Sequence, residues 1–272
     1  MDLHPNAGLG DLLIEKFRHI SSPISPPISK IYVNREMLIK HRGHPEEAEK
    51  TYVWLAKRLF PNANIVIKNS SFSERSPLLM PITKTRCLEC FSDILSRPLN
   101  ITKSPYIVIH TKVRNDYDHY QENVFNLLMK WLRENREKLL SKYQVVILGE
   151  REIENNVESR IHNIRSIYKP LIESLGRERV LDLTENQLYS NGNIEILERD
   201  IQIMNKADLN LFFGIGGPLN ILKAIGGKSW FYWSPKLYQS INVVRQYGAI
   251  QDGDRFFHTI EELLLELEKF IV

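Results

Sequence analysis

The chain has 272 residues, 43% of them hydrophobic, with 36 basic side chains against 33 acidic ones and a net charge of +3. That length suits one large domain or two modest ones. So slight a charge, with acids interleaved among the bases, leaves no basis for nucleic-acid binding, and no apolar run reaches the roughly 18 residues of a membrane span.

The opening Met1-Asp2-Leu3-His4-Pro5 lacks the basic-then-apolar order of a secretion signal, so a cytoplasmic protein is expected, with peripheral membrane contact left open. Asn6-Ala7-Gly8-Leu9-Gly10-Asp11 then leads into a helical pattern at 12–17. Gly8 and Gly10 permit close backbone approach, while Asp11 either caps the helix or removes a proton from an attacking hydroxyl. The proline-rich stretch 21–27 reads as an exposed loop. A strand at 31–33, a helix at 46–59 and a strand at 65–67 follow. Cys87 and Cys90 form a C-x-x-C with no second pair, which reads as two reduced structural thiols rather than half of a zinc site or a redox pair.

The proline-bearing stretch 95–105 interrupts the alternation and reads as a linker between domains at 1–100 and 101–272. A strand is expected at 106–110, ending on His110, which serves as a ligand, an acid or a hydrogen-bonded structural residue. In the loop expected after it, Lys112 and Arg114 either neutralise a diphosphate or form a solvated basic surface. A helix at 124–140 and a strand at 145–149 come next, with Gly149 and Glu150 at the strand exit. Glu150 either accepts from ribose or base groups or pairs with Arg151. A helix at 160–175 and a strand at 179–183 bring Asp182 and Thr184 to the same side as further nucleotide-binding candidates. Ile194, Leu197, Ile201 and Met204 share one face of the next helix.

The run 209–213 then enters Gly214-Ile215-Gly216-Gly217-Pro218-Leu219-Asn220, followed by a helical pattern from Ile221. A strand, a glycine turn and a helix start in that order suit a phosphate, because the first N–H groups of the helix are unpaired and its dipole is positive there. The spacing is neither that of a P-loop nor G-x-G-x-x-G, and a plain connector is the alternative. Residues 230–233 read as a buried final strand before a sugar-stacking surface. The last helix, with Ile260, Leu263, Leu264, Leu267, Phe270 and Ile271 on one stripe, either packs on its own domain or crosses back to the first. The expectation is an α/β protein with parallel sheets covered by helices and two domains facing a cleft.

In their order these motifs resemble the GT-B glycosyltransferases, particularly the heptosyltransferase-like group that uses nucleotide-diphosphate sugars. Gly8-Leu9-Gly10-Asp11 resembles that group's Gly-x-Gly-Asp loop, which implies an acceptor-side loop of Asn6, Gly8 and Gly10 with Asp11 as catalytic base. Over 105–233, the loop of Lys112 and Arg114, the turn of Gly149 and Glu150, the segment of Asp182 and Thr184, and the turn of Gly214, Gly216, Gly217, Pro218 and Asn220 are similar to the elements that surround the donor. The resemblance implies two Rossmann-like domains and transfer to a glycan, lipid-linked or other hydroxyl acceptor; the transfer is expected to be inverting and free of metal and cofactor, because basic side chains and a helix start can stabilise the leaving diphosphate without a cation. Gly214 to Pro218 stands where many of those enzymes carry an Asp-Thr/Ser-Gly turn and a histidine. Residues 110–116 are similar to the His-x-Arg-Arg loop of GT-B fucosyltransferases with the second arginine displaced, so the donor sugar stays open. Two other functions fit the same fold: a nucleotide-sugar epimerase, which needs a second acid or base near the sugar, and a non-catalytic nucleotide-sugar or glycan-binding protein.

Overall fold

Two parallel sheets organise the chain in a computed structural model that describes residues 1–5, 9–22, 24–36, 45–69, 82–99, 103, 105–115, 122–151, 163–185, 193–214, 217–232 and 254–272. The first contains β1 (Asp2–Leu3), β2 (Lys30–Asn34) and β3 (Asn64–Lys68) in that spatial order, with Ile31 opposite both Leu3 and Ile65. Helix α1 (Leu9–Ser21) joins β1 to β2, and α2 (Pro45–Leu59) leads from β2 to β3. Leu9, Leu12, Leu13 and Phe17 recur at helical spacing and are buried, which fixes the inward face of α1.

A one-turn 3₁₀ helix at Leu88–Phe91 and the short α3 (Ser92–Leu95) precede the second sheet. Its strands are β4 (Tyr106–Asn115), β5 (Gln144–Leu148), β6 (Asn163–Ser166), β7 (Leu181–Asp182), β8 (Leu209–Phe213), β9 (Ser229–Tyr232) and β10 (Arg255–Phe257). The intervening helices are α4 (Glu122–Lys142), α5 (Tyr168–Leu175), α6 (Ile194–Lys206) and α7 (Gly217–Ile225), and α8 (Ile260–Phe270) closes the chain. Two helix starts are set by local chemistry: Asn193 accepts from the N–H groups of Glu195 and Ile196, and Thr259 with Glu262 forms a capping box.

The six parallel strands stand in the order β7, β5, β4, β8, β9, β10, while β6 pairs antiparallel with the outer part of β4. Numbered along the chain, the parallel strands run 3-2-1-4-5-6, the order of a Rossmann-like sheet. Side chains alternate between two cores. Ile107, Ile109, Val145, Ile147, Leu211 and Phe213 pack with α4, α5 and α8 on one face. Tyr106, Val108, Val146, Leu148, Phe212 and Phe231 pack on the other with α6 and α7, in the same cluster as Leu3, Ile31, Val33 and the apolar faces of α1 and α2. The two sheets thus share one core through their helices.

Several expectations change. β4 does not end at His110. It runs on to Asn115, because Lys112 to Asn115 find a partner in Ser166 to Asn163. For the same reason the helix expected at 160–175 begins only at Tyr168. The strand expected at 179–183 shrinks to Leu181 and Asp182 behind a 3₁₀ turn at Arg177–Arg179. Residues 229–232 form a fully buried strand, but β10 follows it. Helix α8 stays with the second sheet, where Leu263 and Leu267 pack among the residues of α4 and β10.

The expected linker and the segment ahead of it are both bound to the second unit: Gln202 Nε2 donates to the carbonyls of Ile94 at 2.7 Å and Arg97 at 3.2 Å, and Arg58 and Arg97 both reach Glu198. Cys87 and Cys90 are buried free thiols, and the Cys87 N–H donates to the Ala224 carbonyl in α7.

Candidate functional site

The connections of the second sheet reverse between β4 and β8. From β4 the chain crosses through α4 on one face to β5. From β8 it crosses through α7 on the other face to β9. Ligands of open α/β sheets collect outside the carboxyl ends of the strands at such a reversal. Here β8 ends at Phe213 just before Gly214, while β4 carries His110 level with Leu148, the last residue of β5, and runs on to pair Val113 with Phe213.

Gly214 has φ of 130°, a backbone conformation that glycine alone adopts readily, and it breaks β8 ahead of α7. Gly217 and Pro218 are the first two residues of α7, where a missing proline N–H costs nothing. The start of α7 meets the start of α1. A Cβ placed on Gly10 would lie 3.1 Å from Asn220 Nδ2 and 3.4 Å from the Gly217 nitrogen, and one on Gly217 would lie 3.7 Å from the Gly10 nitrogen. Asn220 spans the contact, its Nδ2 donating to the Gly10 carbonyl over a long 3.4 Å. Two glycine-bearing segments some two hundred residues apart therefore form one place, and Gly10 is the tighter of the two, since a Cβ there would crowd the Asn220 amide whereas one on Gly217 would meet only ordinary contacts. Both helix ends carry partial positive charge, so their meeting repels unless a negative group lies near.

Asp11 supplies one such charge. It is the third residue of α1, inside the first turn rather than at the capping position, where a carboxylate still favours the helix end. It is half-buried and its charge is felt on the α2 side. Burial raises the Glu15 carboxyl, an effect that Arg18 opposes and Asp11 reinforces. Burial likewise pushes the Tyr52 hydroxyl well above its usual range, with Asp11 and Glu15 adding to it.

His110 is 5% exposed and stacks on Phe212 at a centroid distance of 4.0 Å. Burial alone drives its imidazole down to about 3, so the ring is neutral at physiological pH. Among the described residues nothing bonds to its Nε2, nor to Asn220 Oδ1. Both atoms lie at the carboxyl end of the sheet, on the face that carries α7.

The remaining residues divide. Lys112 and Arg114 occupy alternate positions on the outer part of β4, opposite Ser166 and Ile164, and so belong to a paired strand rather than a loop. Gly149 has φ of 112° and packs on Thr111, whose hydroxyl donates to the Glu150 carbonyl at 2.8 Å, as does that of Ser166 at 2.6 Å. Asp182 is occupied by protein groups: Tyr168 Oη donates to it at 2.7 Å, Arg151 approaches at 3.3 Å, and the Thr184 N–H and hydroxyl complete the set. Burial raises its carboxyl, but the bonds from Thr184 and Tyr168 outweigh this and hold it below the usual range. Arg151 turns to Asp182 and Thr184, not to Glu150. Asn6, Gly8 and Gly216 lie outside the described residues.

Two Asp-x-Asp pairs occur, Asp116-Tyr117-Asp118 and Asp252-Gly253-Asp254, a spacing by which two carboxylates can share a divalent cation. Asp254 accepts from the Ser229 N–H and hydroxyl, and the other three lie outside the described residues. Among the described residues no three His, Cys, Asp or Glu side chains gather around a common point, and no helix is long and apolar enough to cross a membrane. The chain matches no protein-family model and no curated protein.

Proposed function

We propose that the chain is a GT-B-type glycosyltransferase, its domains at 1–100 and 101–272 facing a cleft, that moves a sugar from a nucleotide-diphosphate donor to a hydroxyl acceptor. The observation that carries this reading is the meeting of the starts of α1 and α7 at the reversal point of a Rossmann-ordered sheet. A diphosphate placed there offsets the repulsion of the two helix ends. As the glycosidic bond breaks, the leaving diphosphate gains negative charge, so the same fixed N–H groups stabilise the transition state more than the bound donor. Asp11 takes the proton of the acceptor hydroxyl, and direct displacement inverts the anomeric carbon. Acceptors of this reading are glycans, lipid-linked sugars or other hydroxyl compounds, met in the cytoplasm or at a membrane surface.

Thermal-shift and calorimetric titrations with UDP, GDP, UDP-glucose and GDP-mannose, each with magnesium and with EDTA, test it. A ligand at 100 times its Kd stabilises the folded state by about 2.7 kcal/mol, which is readily seen. Gly10→Ala sharpens the test: its methyl group occupies the space between the helix starts, while alanine's better helix propensity, up to about 1 kcal/mol, offsets the crowding. The variant is expected to melt near the parent and to bind at least about tenfold more weakly, a loss of roughly 1.4 kcal/mol. No stabilisation by any of the four compounds at millimolar concentration overturns the proposal. Binding only with magnesium assigns part of the phosphate neutralisation to a cation.

A further inference from the structure

We propose that Asn220 reads a hydroxyl of the donor sugar, its Oδ1 accepting a hydrogen bond from the sugar beside the diphosphate, so that the site separates a sugar nucleotide from the bare nucleotide. This rests on the reading above in one respect, that a diphosphate lies where α1 and α7 meet.

Asn220 is 1% exposed, in the first turn of a helix whose neighbouring Leu219 and Ile221 are also buried. Packing does not explain an asparagine there, since an apolar side chain would leave no polar atom to satisfy. Of the four hydrogen bonds the amide can make, the structure supplies one long one, from Nδ2 to the Gly10 carbonyl. That bond fixes the orientation of the amide, because the opposite orientation would set Oδ1 against a carbonyl oxygen. Oδ1 is then left without solvent and, among the described residues, without a donor.

The chemistry of the missing partner follows. Phosphate oxygens at working pH are acceptors and are served by the N–H groups of the helix starts; they cannot satisfy an amide oxygen. The partner is therefore a hydroxyl close to the phosphate. In a nucleotide-diphosphate sugar the hydroxyls nearest the distal phosphate belong to the sugar. His110 shows the same condition independently: a buried ring nitrogen with no partner among the described residues, within the adjacent strand β4, on the face carrying α7. Other buried polar atoms, among them Asn210 Oδ1 and Ser174 Oγ, share this condition elsewhere in the fold, so what singles out Asn220 is its place where the two helix starts meet.

The test compares each nucleotide diphosphate with its sugar ester, using UDP with UDP-glucose and GDP with GDP-mannose on the whole chain. Ribose hydroxyls are common to both members of a pair and drop out of the ratio of their Kd values. Asn220→Leu is expected to weaken the sugar ester at least about tenfold more than the diphosphate, whereas Asn220→Asp, which keeps an acceptor oxygen, weakens both by similar factors through charge repulsion and leaves the ratio within about twofold. Should Asn220→Leu melt well below the parent, Asn220→Ser replaces it, since its hydroxyl is too short to take the place of the amide oxygen. Equal losses for both members in the Leu or Ser variant overturn the assignment and leave the diphosphate site standing. If the parent binds no diphosphate and no sugar ester, the glycosyl-transfer reading fails first and this assignment with it.

Discussion

Gly149→Ala offers a direct measure of how the strand exit beside the reversal point is held. Gly149 has φ of 112°, and a residue with a Cβ forced into a sparsely populated region costs about 1–3 kcal/mol. The new methyl would also lie 2.5 Å from Thr111 Oγ1, far inside contact distance. Thr111 is fully buried and cannot turn away without giving up its bond to the Glu150 carbonyl, a further net loss of about 0.5–1.5 kcal/mol. The sum is roughly 1.5–4.5 kcal/mol, which at about 2–4 °C per kcal/mol for a chain near this size lowers the melting temperature by about 3 °C at least. Urea unfolding followed by tryptophan fluorescence reads the loss. A cycle with Thr111→Ala separates its parts: without the hydroxyl, Gly149→Ala should cost only the backbone share of about 1–3 kcal/mol. A Gly149→Ala protein within about 0.5 kcal/mol of the parent would refute this account of the turn and return Gly149 to the residues explained by ligand approach.

His110 gives a pH signature. Its folded value of about 3 lies below that of an unfolded histidine, so the unfolded chain takes up a proton first. The contribution is complete above about pH 6.5 and is lost as pH falls from there toward 3, with a slope of up to about 1.4 kcal/mol per pH unit. His110→Phe, which keeps the stacking on Phe212, should flatten the stability profile between pH 6 and 4 in urea titrations; an unchanged slope would mean that the ring titrates normally. Asp182→Ala should destabilise the chain by about 1–3 kcal/mol through the lost bonds from Tyr168, Thr184 and Arg151, and leave diphosphate affinity within about threefold. A fold as stable as the parent with much weaker binding would restore Asp182 to a nucleotide pocket.

The buried parallel strands were legible because each is apolar on both faces, as at 145–148 and 209–213, and the helix faces because their leucines and isoleucines recur at 3.6-residue spacing. The outer part of β4 was not. Lys112 and Arg114 carry no apolar signal on their face, and strand formation there comes from a partner, 163–166, whose own sequence reads as helix. Non-local pairing of this kind overrides local pattern. Asp182 was recognisable as a residue at a strand exit, but its partner Tyr168 sits on a separate helix, and only the fold shows the carboxylate already occupied. Gly10, Gly217 and Asn220 were each singled out by local chemistry, while their meeting depends on contacts some two hundred residues apart, which no window of sequence contains.

The pairing of β4 with β6 also explains why the glycine turn stands where it does. In the dinucleotide-binding version of this strand order, the first strand turns at once into a helix and the phosphate sits at that helix start. Here β4 runs five residues past His110, and α4 begins only at Glu122, on the opposite face from α7. The helix start next to the reversal point is then that of α7, after the adjacent strand β8, whose last residue Phe213 still pairs with Val113 of β4. A single helix start of nine residues is a modest anion site, but α1 brings a second against it from the other sheet. A chain in which β6 is uncoupled, by Ile164→Pro in the pairing opposite Arg114, should loosen β4 beyond Val113, which β8 still holds through Phe213, while keeping β8, α7 and diphosphate binding. Loss of binding together with the strand, in a variant whose circular dichroism otherwise matches the parent, would place the phosphate on β4 instead.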